Sequence, residues 1–325
     1  MPPLYFDAND VLAHLDYPGC IMAVRDAMTS FTASAKEQPL RTAIEIEPGK
    51  VLGIMPGFLP SDERFGAKVL SVFEDHTRPG RSAHRGSIVL FNTADGTVEC
   101  VADAEQITLI RTAAASAVAT DALARPSAKR LVIFGCGAQA RSHILAIQHV
   151  RSLREIVVWG RNKEVSDNFA ERMKAETNLP IRSEADAKAA AANADIICTV
   201  TGAQTPILLG QWVRPGTHVN VVGSSHPGPV EIDDALVLAS RFVVDSRRSA
   251  LSAAAEYLKA KAAGLIDERH IVAEIGEVLL ERVAGRTSES DITLYKSLGH
   301  VVQDLAAAAY IRTKAGLAAA KTPSA

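Results

Sequence analysis

The sequence predicts a two-domain α/β protein: a doubly wound parallel sheet joined to an α+β domain. Three observations carry this reading. Residues 42–101 read as short strands separated by turns. From 130 onward, strand candidates alternate with helix candidates. Several of those strands, such as Leu131-Val132-Ile133-Phe134, are apolar on both faces, as a sheet covered by helices on both sides requires. A chain of 325 residues is long enough to build both cores.

The elements follow in order. Ile21, Met22, Val24, Met28 and Phe31 recur at helical spacing, which predicts a helix over 17–35. Strands are expected at 42–46, 51–55, 65–73, 87–92 and 97–101. The turn pairs Pro48-Gly49, Pro56-Gly57, Pro79-Gly80 and Asp95-Gly96 divide them. Short connections favour an antiparallel sheet. Residues 103–123 are alanine-rich without internal Gly or Pro, so one helix should lead from the first domain into the second until Pro126 ends it. Strands then follow at 130–134, 155–159, 181–182, 196–199, 219–222 and 242–244, with helices at 138–149, 163–177 and 184–192. The tail from Ser290 reads as helical. Its stripe of Val301, Val302, Leu305, Ala306, Ala309 and Tyr310 should pack back on the first domain. The domains are therefore read as 1–119, joined by a C-terminal helix over 303–325, and 120–302.

Composition excludes some classes. Hydrophobic residues make up 47% and charged residues 22%, as in ordinary globular proteins. Net charge is -2 and no long basic run occurs, so neither a nucleic-acid nor a membrane partner is expected. No apolar stretch reaches the roughly 18 residues that span a bilayer. Cys20, Cys100, Cys136 and Cys198 are scattered without metal-ligand spacing, so no metal is expected and the thiols read as those of a reduced, cytoplasmic protein. The N-terminus lacks a signal-peptide pattern.

The chemistry centres on Gly135-Cys136-Gly137-Ala138-Gln139-Ala140, which follows a strand candidate and opens a helix candidate. Gly135 permits the tight turn, Gly137 removes a side chain where a pyrophosphate must approach, and Ala140 lets helix and strand pack closely. The pyrophosphate would meet free N–H groups at the helix start, including those of Ala138 and Gln139. Strand, glycine turn, helix and second strand together form a Rossmann-type unit and predict a nicotinamide dinucleotide. A tight glycine turn without nucleotide is the plainer alternative. The second strand ends at Trp159-Gly160-Arg161-Asn162, with no carboxylate for a ribose 2′-hydroxyl. Arg161 can pair with a 2′-phosphate and Asn162 can hydrogen-bond to it, so NADP(H) is favoured over NAD(H). Thr199, Thr201, Val222 and Gly223 end later strands on the carboxyl edge, where ligands sit in open α/β folds, and are candidate cofactor contacts.

Several patches, in their order and spacing, resemble the ornithine cyclodeaminase/μ-crystallin family over nearly the whole chain. They are Pro39-Leu40-Arg41, Met55-Pro56-Gly57, Gly66-Ala67-Lys68, Leu109-Ile110-Arg111-Thr112-Ala113-Ala114 and the glycine turn. Gly223-Ser224-Ser225-His226-Pro227-Gly228 and Lys296-Ser297-Leu298-Gly299…Asp304 complete the match. The resemblance implies a homodimer whose N-terminal domain, with the C-terminal helix, binds substrate and forms the dimer, facing the cofactor domain across a cleft. It implies chemistry at an imine beside a carboxylate, by hydride transfer to or from nicotinamide. It places Arg41 and Arg111 on the substrate carboxylate, with Arg111 also set to touch the cofactor, and Lys68 beside the reacting carbon and nitrogen. Lys296 joins the cofactor contacts. Without the resemblance, each of these cations reads as a solvated surface charge. The chemistry suits them: guanidinium binds carboxylate in bidentate fashion, and a lysine among other cations has a lowered pKa.

One departure bears on the reaction. Cyclodeaminases of the family carry Asp in the loop after the fifth strand, and this sequence has Ser225. Serine cannot act as a carboxylate base. The resemblance with that change implies an NAD(P)H-dependent reductase of a small cyclic imino acid, yielding an L-amino acid such as proline or pipecolate, with Lys68 and Ser225 at the reaction centre. A cyclodeaminase, an alanine or other amino-acid dehydrogenase, and a low-activity NADPH-binding crystallin-like protein are the alternatives. His226, in the same loop as Ser225, is a candidate acid or base, with an outward-pointing ring on a proline-flanked loop as the plainer alternative; His84 and His76 could border the cleft and carry no assigned role.

Overall fold

The computed structural model describes residues 2–73 and 84–321. Contacts divide the chain into two compact units, Met1–Arg111 with His300–Ala325, and Thr112–Gly299. The division falls inside a continuous helix, where the sequence has no punctuation.

The first unit opens with β1 (Leu4–Phe6), α1 (Ala8–His14) and α2 (Tyr17–Ser34). Asp7 and Asp10 form a capping box on α1, and Asp16 caps α2 by accepting from the Gly19 N–H at 2.8 Å. A meander follows: β2 (Thr42–Glu47), β3 (Lys50–Leu59), β4 (Arg64–Phe73), β5 (His84–Asn92) and β6 (Val98–Asp103). The strands pair antiparallel as expected, and β1 adds parallel to β6, giving the order β1-β6-β5-β4-β3-β2. The Pro79-Gly80 pair and His76 lie outside the described residues.

One expected turn is not a turn: β3 runs straight through Pro56-Gly57. The register explains why. β2 pairs with β3 only from Lys50 to Ile54, so Pro56 lies where one side of β3 is an edge and no N–H is needed. The Gln38 side chain covers that edge, accepting from the Phe58 N–H at 3.0 Å and donating to its carbonyl at 2.9 Å.

Along α3 (Ala104–Leu123) the chain enters the second unit. There it forms β7 (Arg130–Phe134), α4 (Ala138–Ile147), β8 (Glu155–Trp159), α5 (Lys163–Thr177), β9 (Ile181–Ser183), α6 (Ala187–Ala191), β10 (Ile196–Thr199) and β11 (His218–Val221). It continues with α7 (Asp234–Ala239), β12 (Ser240–Val244), α8 (Arg247–Ala253), α9 (Ala255–Ala262), β13 (Ile271–Glu274), α10 (Ile275–Leu279) and β14 (Ile292–Lys296). All eight strands are parallel, in the order β13-β12-β14-β11-β10-β7-β8-β9. Apolar clusters cover both faces, one around Phe134, Val219, Phe242 and Tyr257 and the other around Ile133, Ile144, Val158 and Phe169.

The tail differs from expectation. Ile292–Lys296 is a buried strand between β11 and β12, and helix begins only at Val301. The segment Ile-Thr-Leu-Tyr-Lys mixes polar and apolar residues yet is almost wholly buried between its neighbours, so five residues carry no clear periodicity and helix and strand read alike in sequence. The final helix α11 (Val301–Lys321) returns to the first unit and packs on α2, β3 and β4. The contact with α2 is close: a Cβ on Gly19 would lie 2.1 Å from the Tyr310 hydroxyl.

Candidate functional site

In the first unit three elements converge on one buried cluster. Lys68 lies mid-strand on β4, pairing across to Met55 and Ile88. Thr108 and Arg111 lie one helical turn apart on α3 and so share a face. Asp304 is in the first turn of α11. Asp304 Oδ1 accepts from both Lys68 Nζ at 3.0 Å and Arg111 Nε at 2.8 Å. Lys68 also donates to Thr108 Oγ1 at 3.3 Å, and Arg111 Nη1 donates to Gln303 at 3.0 Å. Lys68 is 3% exposed, Arg111 4% and Asp304 0%.

The electrostatics follow from burial and from two cations sharing one carboxylate. Burial pushes the Lys68 pKa down, Arg111 and Arg41 push it further, and Asp304 opposes them; it is lowered to about 8. Burial acts to raise Asp304, but Arg111 and Lys68 outweigh it and hold its pKa below the ordinary carboxylate value. His300, whose ring is tilted against that of Phe31 with 4.5 Å between centroids, has its pKa lowered to about 4, chiefly by burial. Two cations against one anion leave the cluster with a surplus positive charge, suited to a ligand carboxylate. Asp304 Oδ2 is buried and makes no hydrogen bond. Arg41, just before β2, is exposed, yet its charge is felt at both Lys68 and His300. Of the residues expected at the substrate, Lys68 and Arg111 are thus brought together on Asp304, while Arg41 is exposed ahead of β2.

In the second unit the sheet turns back at β7: the chain runs outward through β8 and β9, then returns to β10 on the other side. In such folds ligands bind at this switch point. Gly135 sits there at φ +133°, and a Cβ on it would lie 2.9 Å from the Val200 carbonyl at the end of β10. Gly137 is the N-cap of α4, with no side-chain cap bond and nothing within 4 Å of its Cβ position. The first N–H groups of α4, those of Ala138 and Gln139, therefore face open space, a cradle that fits a phosphate. Ala140 is fully buried in the core beneath. Arg161 is exposed after β8, with no hydrogen bond or ion pair among the described residues.

Three expected cofactor contacts are engaged within the protein. The Asn162 side-chain oxygen caps α5, accepting from the Val165 N–H at 3.1 Å, which leaves only its amide nitrogen for a ligand. Thr199 is fully buried and donates to Glu231 at 2.8 Å. Lys296 is also fully buried, 2.8 Å from Glu256, and donates to Ser224 Oγ at 2.6 Å. Thr199 and Lys296 therefore support the sheet edge from within and do not present their side chains at its surface. Thr201 is half-buried and donates to Glu231 through N–H and hydroxyl. Val222 is 8% exposed, and the Gly223 N–H donates to Glu231 at 2.7 Å. Ser225 is half-buried and His226 exposed.

Thr108, Gln303, Glu231 and Glu256 carry no role in the sequence reading, and Asp304 enters it only as part of a matching patch. Gln303-Asp304 interrupts the apolar run from Val301 to Ala309, and Glu231 stands between Val230 and Ile232. Polar residues flanked by core residues are the signal that could have found them. Among the described residues, no group of three or more His, Cys, Asp or Glu side chains is placed to hold a metal ion.

The family profile of ornithine cyclodeaminase/mu-crystallin proteins matches residues 4–317. The chain belongs to this family. Among family relatives, it is 33% identical over 311 residues to the ketimine reductase mu-crystallin of Mus musculus, covering 94% of this chain and 95% of that one. Among solved structures, it resembles the Thermococcus litoralis Δ1-pyrroline-2-carboxylate reductase in complex with NADH and L-proline. That likeness has a TM-score of 0.93 and 32% identity, covering 97% of this chain and 98% of that one. An archaeal alanine dehydrogenase dimer with bound NAD matches at a TM-score of 0.92 and 25% identity, over 98% of both chains.

Proposed function

We propose that this family member reduces the C=N bond of a small cyclic imino acid, such as Δ1-pyrroline-2-carboxylate or Δ1-piperideine-2-carboxylate, to the L-amino acid proline or pipecolate. The observation that carries this is the buried Lys68–Asp304–Arg111 cluster with its surplus positive charge. The relatives named for ketimine and pyrroline-2-carboxylate reduction support it. Arg111, fixed through Nε and Nη1, keeps N–H groups for the substrate carboxylate, and Arg41 adds charge. Lys68, held as an ammonium by Asp304, orients the substrate nitrogen and gives it a proton. Placement and electrostatics then supply most of the rate.

The nicotinamide cofactor supplies the hydride when bound. Gly135, Gly137 and the N-terminus of α4 would hold its pyrophosphate. Arg161, with no acid at the end of β8, favours NADP(H), and NAD(H) is the alternative. Ser225 replaces the Asp of the cyclodeaminases, which disfavours ammonia release. We read the first unit as the substrate and dimerisation domain, the second as the cofactor domain, and the protein as a cytoplasmic homodimer. The alanine dehydrogenase dimer and the four unpaired cysteines support this. No helix among the described residues is long and apolar enough to cross a membrane.

The test is oxidation of NADPH and NADH with each cyclic imino acid. Turnover with preference for NADPH is expected. No turnover, together with ammonia release from ornithine or reaction only with pyruvate and ammonia, overturns the reading.

A further inference from the structure

We infer that Glu231, Glu256 and Lys296 form a buried latch that fixes the loop carrying Ser225, and so act as positioning residues for the reaction proposed above. The role in catalysis rests on that reading. The latch itself lies wholly within the second unit.

Glu231 is fully buried and accepts four hydrogen bonds from the ends of two adjacent strands. Thr199 Oγ1 and Thr201 Oγ1 each donate at 2.8 Å, and the Thr201 and Gly223 N–H groups at 2.7 Å. The fit requires glycine at 223, where a Cβ would lie 2.6 Å from Glu231 Oε1 and 2.0 Å from the Thr201 carbonyl. The next residue is held from two sides. Ser224 Oγ donates to Glu256 and accepts from Lys296, which also donates to the Ser224 carbonyl. Glu256 and Lys296 pair at 2.8 Å, and Glu256 accepts from the Glu231 N–H at 3.2 Å, tying the Glu256 carboxylate to the Glu231 backbone.

Both residues before Ser225 are therefore immobilised by charged groups, while Ser225 itself is partly exposed. Burying three ionisable side chains costs desolvation that an apolar core would avoid. What charges add over apolar packing is direction: Glu256 Oε2 meets only the Lys296 ammonium and accepts no hydrogen bond, but the hydrogen-bonded groups of the network admit one arrangement of their partners. The network stands at the carboxyl edge of β10 and β11, where open α/β folds bind ligands. Glycine turn and Arg161 lie instead at the ends of β7 and β8. The latch should therefore govern the reacting end of a dinucleotide and leave the adenosine end alone.

The experiment uses the full chain with Glu231→Gln, which replaces one acceptor oxygen by a donor, and Thr199→Val, which removes one donor at constant shape. The probe for the adenosine end is 2′,5′-ADP, which lacks nicotinamide. Expected are 2′,5′-ADP affinity within about threefold of wild type, and kcat for imine reduction down about tenfold in Glu231→Gln and about threefold in Thr199→Val, with substrate KM little changed. If Glu231→Gln does not fold, Thr199→Val decides. Wild-type kcat in a folded variant, or a loss of 2′,5′-ADP affinity equal to the loss of kcat, overturns the latch. If the wild-type chain binds NADPH but reduces no imine, the reductase reading falls alone. The latch is then judged by bound-NADPH fluorescence, expected to differ between wild type and variant; identical emission overturns it. A wild-type chain that binds neither NADPH nor 2′,5′-ADP overturns both.

Discussion

Asp304→Asn removes the carboxylate that Lys68 and Arg111 share while keeping its shape. Asp304 Oδ1 lies 3.0 Å from Lys68 Nζ in a site with almost no solvent exposure. Unit charges at that distance interact at about 5 kcal/mol for an effective dielectric near 20. If relaxation and water entry recover half of this, the Lys68 pKa falls by about two units, since each unit is about 1.4 kcal/mol. The sign follows from what remains: burial, Arg111 and Arg41 all press Lys68 toward the neutral amine, and only Asp304 opposes them. Lys68 would then titrate near 6 where it now titrates at about 8. At pH 7.5 the protonated fraction drops from about three quarters to about 3%, roughly a 25-fold loss, whereas at pH 5.5 the loss is under about twofold. The assay is kcat/KM for imine reduction across pH 5.5–9 at saturating cofactor. The basic limb is expected to move to lower pH, with activity recovering toward wild type in acid. A basic limb that stays near 8 in a variant that still melts cooperatively refutes the assignment of Lys68 as proton donor held by Asp304.

Other changes separate the parts of the site. Lys68→Met should cut kcat by about a hundredfold or more while the fold persists, because Arg111 still pairs with Asp304 at 2.8 Å; near-normal turnover would remove Lys68 from the chemistry. Arg161→Ala should raise KM for NADPH by about tenfold and leave KM for NADH nearly unchanged, and equal effects on both would show that Arg161 does not read the 2′-phosphate. The glycine turn allows a paired comparison by calorimetry and cofactor titration. Gly137→Ala, at ordinary φ with open space around the added carbon, should keep Tm within about 2 °C yet weaken NADPH binding about tenfold. Gly135→Ala, at φ +133° against the Val200 carbonyl, should destabilise the fold by about 1–3 kcal/mol. Retained affinity in Gly137→Ala would mean that no phosphate approaches there.

Local pattern was enough to read the Rossmann-type unit from β7 to α5, because an apolar strand, a glycine turn and a capped helix each leave their mark within a few residues. The same holds for α2, with Asp16 before it, and for the antiparallel meander. The cations Arg41, Lys68 and Arg111 were legible only through resemblance, since nothing local separates a buried lysine from a solvated one. Tertiary structure decided the rest. Pro56 lies in a strand because β2 ends beside it, and Ile292–Lys296 is a strand because β11 and β12 flank it. Asp304 reaches Lys68 across 236 positions of sequence, and Glu256 on α9 reaches Lys296 at the end of β14. Such pairings depend on which elements the sheets bring side by side. Local periodicity specifies what each element is, and only the assembled core specifies which buried charges face one another.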